Sequence, residues 1–115
     1  LDPSIRLQQC EILCAEIRRQ TTSEDHVIVM GDFNDRPGSR VHQQLLRVCS
    51  GLYDPWTSAE EPSHHSFSGS TWNGHRIDWI LLDKRIHCKE IFLDKTRDGQ
   101  LWPSDHFPLV CRFKL

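Results

Sequence analysis

The sequence of 115 residues has no long apolar run. Its longer apolar stretches, such as residues 79–82, fall far short of the roughly 20 residues that span a bilayer, so the sequence predicts no membrane span. No N-terminal signal sequence is visible either. Because the chain begins at Leu1 rather than Met, that second absence excludes no compartment.

A basic stripe is also lacking. The chain carries 14 Lys and Arg against 16 Asp and Glu, a formal net charge of −2. Its adjacent basic pairs are Arg18-Arg19 and Lys84-Arg85. Proteins that hold duplex DNA by its backbone usually concentrate positive charge on one face, because phosphate neutralisation supplies most of the non-specific affinity. The charge balance therefore disfavours duplex DNA as a partner.

No cysteine spacing matches a zinc knuckle, and the number of cysteines is odd. Cys10 and Cys14 lie four residues apart in a helical pattern, which favours two small core residues over a metal or redox pair. We therefore expect reduced thiols in an intracellular protein, cytoplasmic rather than secreted. The five cysteines are Cys10, Cys14, Cys49, Cys88 and Cys111.

Two helices are predicted from capping residues and apolar spacing. Asp2 and Pro3 start the first, and Ser39 caps the second, which stops near Gly51. Apolar residues at three-to-four spacing form the buried stripe of each helix. In the first they are Leu7, Cys10, Leu13, Cys14 and Ile17, and in the second Val41, Leu45, Leu46 and Cys49.

Strands alternate with these helices and then follow one another, which predicts the α/β class. The first strand, residues 26–30, is rich in branched side chains, and we expect it to be fully buried and to stop at Gly31. Residues 53–74 are rich in Ser, Pro, Gly and His and are predicted to form a long loop. Further strands are predicted over 76–82, 86–93 and 109–113.

Three short segments place polar groups at strand borders. Gly31 to Asn34 delivers a carboxylate and an amide after a strand, although Asp and Asn also form turns by themselves. Asp78 lies inside an apolar strand, which is costly for a charge unless it has a partner, such as Arg76 or a functional group. Ser104 to Pro108 carries adjacent Asp105 and His106, or is simply a capped turn.

Together, in this order, the three segments resemble the endonuclease/exonuclease/phosphatase superfamily of metal-dependent phosphoesterases, over nearly the whole chain. The helix at residues 1–13 and the loop at residues 66–74 are also similar to that family. The resemblance implies the C-terminal half of a four-layer α/β sandwich, two β-sheets flanked by helices. Residues 1–115 would then form the C-terminal part of a single domain.

The resemblance also implies roles for five side chains in hydrolysis of a phosphodiester or phosphomonoester. Asp32 would orient or deprotonate the attacking water, and Asn34 would donate a hydrogen bond to the phosphoryl oxygens. Asp105 would bind Mg²⁺ or Mn²⁺. His106 would contact the scissile phosphate, with Asp78 holding its ring. Carboxylates for a hard cation and donors for phosphoryl oxygens are what phosphoryl transfer requires.

The chain departs from the family pattern where the family's first half supplies an Asn, a metal-binding Glu and a further His or Tyr. Glu11 and Glu16 do not replace them, because their helix position favours solvated charges. We therefore expect the isolated chain to be weakly active or inactive, and to associate through the sheet face that the N-terminal half of the domain would cover. The alternative is a non-catalytic remnant that acts as an interaction or scaffold module.

The sequence leaves the substrate open between a small phosphoester and single-stranded nucleic acid. His64 and His65 are interpreted as a solvated loop pair rather than ligands, although such loops can rim a phosphate pocket. Trp56, Trp72 and Trp102 flank the site segments, where ordinary packing is favoured over stacking on a base.

Overall fold

The computed structural model of the chain describes residues 2–49, 51–69 and 74–115. These residues form helices and strands that alternate in the first half of the chain, followed by consecutive strands. In chain order they are α1 (Pro3–Gln20), β1 (Ile28–Asp32), α2 (Arg40–Val48), β2 (Leu52–Tyr53), β3 (Asp78–Asp83), β4 (His87–Leu93) and β5 (Leu109–Lys114). Over the described ranges, neither helix has the length and apolar character needed to cross a membrane.

Both predicted helix starts are confirmed. The Asp2 carboxylate accepts a hydrogen bond from the Ser4 amide at the start of α1. The Ser39 hydroxyl likewise accepts from the His42 amide at the start of α2. Each cap satisfies an amide that has no partner within its own helix.

The core lies between the two helices and β3. Cys10 and Cys14 of α1 pack with Val41 and Leu45 of α2 and with Trp79 of β3, and all five side chains are buried. The predicted core role of Cys10 and Cys14 is confirmed. Burying the apolar stripe of each helix stabilises the fold by about 25 cal/mol for each Å² removed from water.

Two antiparallel sheets follow. In the first, β3 lies between β1 and β2, and its register pairs Gly31 with Trp79 and Asp32 with Asp78. In the second, β4 pairs with β5. The central position of β3 explains its apolar sequence, because its side chains are covered on both faces.

The predictions for the first strand were wrong in two respects. β1 runs to Asp32 rather than stopping at Gly31, because both residues still pair with β3. It is also largely exposed, with Met30 71% accessible, because β1 has one neighbouring strand among the described residues and little packed over it. A run of branched residues alone does not distinguish a covered strand from an uncovered one.

The expectation of reduced thiols was also wrong. Cys14 of α1 and Cys49, at the C-terminal end of α2, form a disulfide between residues 35 apart in sequence. Helix packing brings their Cα atoms to 5.6 Å, within the range that a disulfide spans. Sequence spacing could not indicate this pair, because it joins two elements that meet only in the folded chain. The thiol argument for an intracellular location therefore no longer holds.

Candidate active site

The register between β1 and β3 places two carboxylates side by side. Asp32 ends β1 and Asp78 begins β3, and the two residues are direct partners across the strands. The next side chains along, Phe33 and Trp79, stack with ring centroids 4.5 Å apart. Trp79 is fully buried, so this stack fixes the backbone beside both carboxylates. Like charges placed opposite each other repel, so the pair needs a compensating group.

His106 supplies that group. Its Nδ1 lies 2.7 Å from Asp78 Oδ2, and its Nε2 lies 3.7 Å from Asp32 Oδ2. Burial lowers the pKa of His106, but the hydrogen bond to Asp78 and the charges of Asp78, Asp32 and Asp105 outweigh it. The pKa is therefore raised above its ordinary value. The arrangement favours a protonated imidazolium between the carboxylates.

The segment that carries His106 is held by main-chain hydrogen bonds to a distant loop. His106 forms an isolated antiparallel bridge with His64. Beside it, the His65 amide donates to the Asp105 carbonyl at 2.8 Å, and the Phe107 amide donates to the Ser63 carbonyl at 2.7 Å. Ser104 also caps its own turn, since its hydroxyl accepts from the His106 amide. A capped turn and a positioned histidine therefore coexist in this segment.

The carboxylate of Asp78 is directed to His106 rather than to Arg76. The Arg76 guanidinium instead bonds Asp54 Oδ2 at 3.0 Å and also reaches Glu60, while contacting Asp78 through its main-chain carbonyl. Arg76 is 1% exposed, so its charge is compensated within this separate network. The cost of placing Asp78 in an apolar strand is therefore offset by a histidine.

Asn34 joins the site through its main chain. Its amide donates to Asp32 Oδ1 at 2.8 Å, and its φ of 52° is a left-handed conformation that Asn tolerates well. Asp32 therefore serves both as a turn residue and as a candidate site residue. Its Oδ1 accepts the hydrogen bond of the turn, and its Oδ2 faces His106. Asn34 also lines a cleft of about 690 Å³ together with Arg6 and Gln9 of α1.

His64 is the residue that sequence reasoning missed. Its Nε2 lies 3.5 Å from Asp105 Oδ2, and its ring centroid lies 5.0 Å from that of His106. His65, by contrast, is 2% exposed and stacks on Phe107, so the interpretation of a solvated pair was wrong. Side chains of successive residues in an extended segment point to opposite sides, so the sequence could have indicated that only one of the two histidines faces the site. It could not have indicated which one.

The remaining side chains that the structure describes follow the predicted structural interpretations. Trp56 lies against the Arg76 guanidinium, and Trp102 packs on His65, both within the fold. Trp72 lies outside the described residues. Glu16 pairs with Arg19 on the exposed side of α1.

The site offers two overlapping groups of metal-ligating atoms, each with its atoms within 4.8 Å of one another. One comprises Asp32, Asp78 and His106, and the other His64, Asp105 and His106. The Asp32 and Asp78 carboxylates of the first group supply the oxygen donors that Mg²⁺ and Mn²⁺ prefer. The residues therefore fit a divalent cation.

Several solved structures have the same fold as this chain. The mannosyl-6-phosphatase Bt3783 of Bacteroides thetaiotaomicron is 18% identical, with a TM-score of 0.76 over 100% of this chain and 48% of its own. A second protein from that bacterium, described as belonging to the endonuclease/exonuclease/phosphatase family, is 20% identical with a TM-score of 0.77 over 98% and 44%. The human Nocturnin catalytic domain with bound sulfate is 26% identical, with a TM-score of 0.72 over 96% and 41%.

The chain thus spans less than half the length of each of these structures. No curated protein matches its sequence. The two small sheets and two helices agree with the predicted class, a partial α/β sandwich. The sequence model of the Endonuclease/Exonuclease/phosphatase family matches residues 2–106, nearly the whole chain. The chain therefore belongs to the Endonuclease/Exonuclease/phosphatase family.

Proposed function

We propose that the chain contributes to a divalent-metal-dependent hydrolase of phosphodiester or phosphomonoester bonds. The observation that carries this proposal is the contact of His106 with both Asp78 and Asp32 at the edge of the first sheet. A cation-compatible carboxylate cluster beside an ionisable histidine suits the attack of water on phosphorus.

In this proposal each side chain has a distinct task. Asp32 orients or deprotonates the water that attacks phosphorus in line, and Asp78 holds the His106 ring by its Nδ1. His106 then donates through Nε2 to a non-bridging oxygen of the scissile phosphate, and its raised pKa supports the protonated form that donation requires. Asn34 donates a further hydrogen bond to the same oxygens. Asp105 would hold Mg²⁺ or Mn²⁺, which when bound neutralises charge on the phosphoryl group.

The substrate class stays broad in this proposal. The structural neighbour named as a mannosyl-6-phosphatase supports including phosphomonoesters. The family name covers nucleases as well as phosphatases, so a small phosphoester and single-stranded nucleic acid both stay within it. The net charge of −2 argues against duplex DNA.

We further propose that residues 1–115 form the C-terminal part of a single catalytic domain. Two observations support this: the neighbours are more than twice as long, and β1 leaves Ile28 and Met30 accessible. The N-terminal part of such a domain would supply a metal-binding Glu and cover that surface. The isolated chain would then have low activity.

The test is Mg²⁺-dependent hydrolysis of an aryl phosphodiester and an aryl phosphomonoester, with the His106→Ala variant as background. Losing one donor to the phosphoryl oxygens typically lowers the rate by about 10²–10³. We expect any turnover by the chain to need both the metal and His106. Turnover unchanged in His106→Ala would contradict the proposed roles. If adding the N-terminal half produces no turnover, the scaffold alternative is favoured.

A further inference from the structure

His64, Asp105 and His106 place two imidazoles and one carboxylate around a single point. His64 Nε2 and Asp105 Oδ2 are 3.5 Å apart, and all three ligand atoms lie within 4.8 Å of one another. Ligand atoms at about 2.0–2.1 Å from a tetrahedral zinc ion lie about 3.4 Å apart. The pair already has that spacing, and the distances from the third ligand atom to the other two need to shorten by at most about 1.4 Å.

The backbone under this group is fixed from both sides. The bridge between His64 and His106 puts their side chains on the same side of the paired segments. The flanking residue Ser63 is fully buried, and its hydroxyl accepts hydrogen bonds from the Ile77 and Asp78 amides. His65, on the other flank, is packed among aromatic rings. The main chain at His64 is therefore fixed in position, although His64 lies in the long loop predicted over residues 53–74.

Asp78 completes the arrangement. Its carboxylate lies 2.7 Å from His106 Nδ1, which leaves Nε2, 3.7 Å from Asp32 Oδ2, as the ring nitrogen available to an ion. A carboxylate on the far nitrogen of a histidine is the usual support of a metal-ligating imidazole, since it fixes the ring and raises its basicity. The same contact that positions His106 for a phosphate therefore also suits it for a metal.

We propose that His64, Asp105 and His106 form a binding site for a borderline transition-metal ion such as Zn²⁺ or Co²⁺. Two imidazoles and a carboxylate are a donor set that such ions prefer and that Mg²⁺, which takes oxygen ligands, does not. Three protein ligands leave the fourth position to water. The site goes beyond the proposed hydrolysis and does not depend on it. Because it uses both His106 Nε2 and Asp105, ion binding there excludes donation from His106 to a phosphate and also the role proposed above for Asp105 toward Mg²⁺.

The test is a titration of the whole chain with Co²⁺, followed by its visible absorption spectrum, with Zn²⁺ competition to obtain the affinity. No substrate is added, so the result is independent of any hydrolysis. We expect a spectrum typical of four-coordinate Co²⁺ that Zn²⁺ displaces and excess Mg²⁺ does not. The His64→Ala variant should bind Co²⁺ more weakly by at least about 10–100-fold. Losing a residue that only hydrogen-bonds to a metal ligand already lowers metal affinity by that factor.

Two control variants separate this site from others. His87→Ala removes an exposed histidine from β4 in the second sheet, and Cys88→Ser removes one of two thiols whose sulfurs lie 3.8 Å apart. Both should keep the wild-type affinity and spectrum. Asp78→Asn, which keeps every ligand, should weaken binding by about 10–100-fold.

Circular dichroism and melting establish that each variant folds. If His64→Ala does not fold, Asp105→Asn takes its place with the same expected loss. Equal affinity in the wild type and a folded His64→Ala or Asp105→Asn variant would overturn the proposal. Loss of binding in Cys88→Ser would also overturn it, because the ion would then lie at the thiols.

Discussion

At the residue scale, the contact between Asp78 and His106 governs how the histidine ionises. Burial opposes the charged ring, whereas the hydrogen bond and three neighbouring carboxylates favour it, and the second effect is larger. A histidine whose pKa is raised by folding stabilises the fold fully below its unfolded pKa. That contribution is lost as pH rises through the folded pKa. The imidazolium and its contribution to stability therefore persist to higher pH than for a histidine with an ordinary pKa.

Replacing Asp78 by Asn should lower the pKa of His106, because the variant removes both a charge and an acceptor that favour the imidazolium. The measurement is a histidine-ring NMR titration of the wild type and the variant. We expect the pKa of His106 to be lower in the variant than in the wild type, where it is raised above its ordinary value. His87, exposed on β4, is the internal control. An unchanged His106 titration would mean that Asp78 does not set its ionisation.

Removing the Arg76 side chain should destabilise the fold. Arg76→Ala takes the guanidinium away from Asp54, which is 9% exposed and keeps His42 Nε2 at 2.9 Å, and breaking a buried ion pair costs about 3–5 kcal/mol. The matched control is Arg112→Ala, which removes the exposed pair with Glu90 and should cost at most about 1 kcal/mol. Urea unfolding measures both free energies. Similar losses for the two variants would contradict the buried network.

At the element scale, the packing of α1 against α2 is joined covalently by the disulfide between Cys14 and Cys49. The two helices also supply most of the buried core that packs against Trp79 of β3. The sheet edge that carries Asp32 depends on this packing, because Phe33 and Trp79 contact the same cluster. Weakening the packing of α1 against α2 should therefore also disturb the position of Asp32 in the candidate site.

Reducing this disulfide should lower the free energy of unfolding. For a closed loop of about 35 residues, the chain-entropy account gives roughly 4 kcal/mol. Urea unfolding with and without reductant measures the change, and Cys14→Ser without reductant should reproduce it. Thiol titration of the unfolded, unreduced chain should detect the three free cysteines, Cys10, Cys88 and Cys111. Detection of five thiols would show that the bond is absent.

At the scale of the whole molecule, the chain exposes several large apolar side chains. On β1 these include Met30, which is 71% accessible, and Ile28 two residues away on the same side of the strand. An uncovered strand edge with apolar side chains promotes association with another chain. This is the surface that the proposed N-terminal part of the domain would cover.

Replacing Met30 by Lys should therefore reduce self-association of the isolated chain. The lysine charge opposes burial of β1 against another copy of the chain and disfavours pairing of its exposed edge with another strand. Sedimentation velocity over a range of concentrations measures the effect. Ile12→Lys, on an exposed position of α1, is the matched control and should change association less. A monodisperse wild-type monomer that unfolds cooperatively would contradict the half-domain proposal.

The sequence by itself determined the elements whose signals are local. Caps at Asp2 and Ser39 and the apolar spacing of α1 and α2 depend on neighbouring residues, and those predictions were confirmed. The order of the three polar segments also indicated the family, which the match over residues 2–106 confirmed.

Only the tertiary structure decided which groups meet. The disulfide partner of Cys14 and the side on which His64 lies depend on contacts between segments 35–41 residues apart. For Asp78, the residues alone left Arg76 open as the partner, and only the family resemblance implied His106. Such contacts arise from strand register and helix packing, which residue patterns do not specify. The exposure of β1 has the same origin, since burial depends on what covers a strand and not on its own side chains.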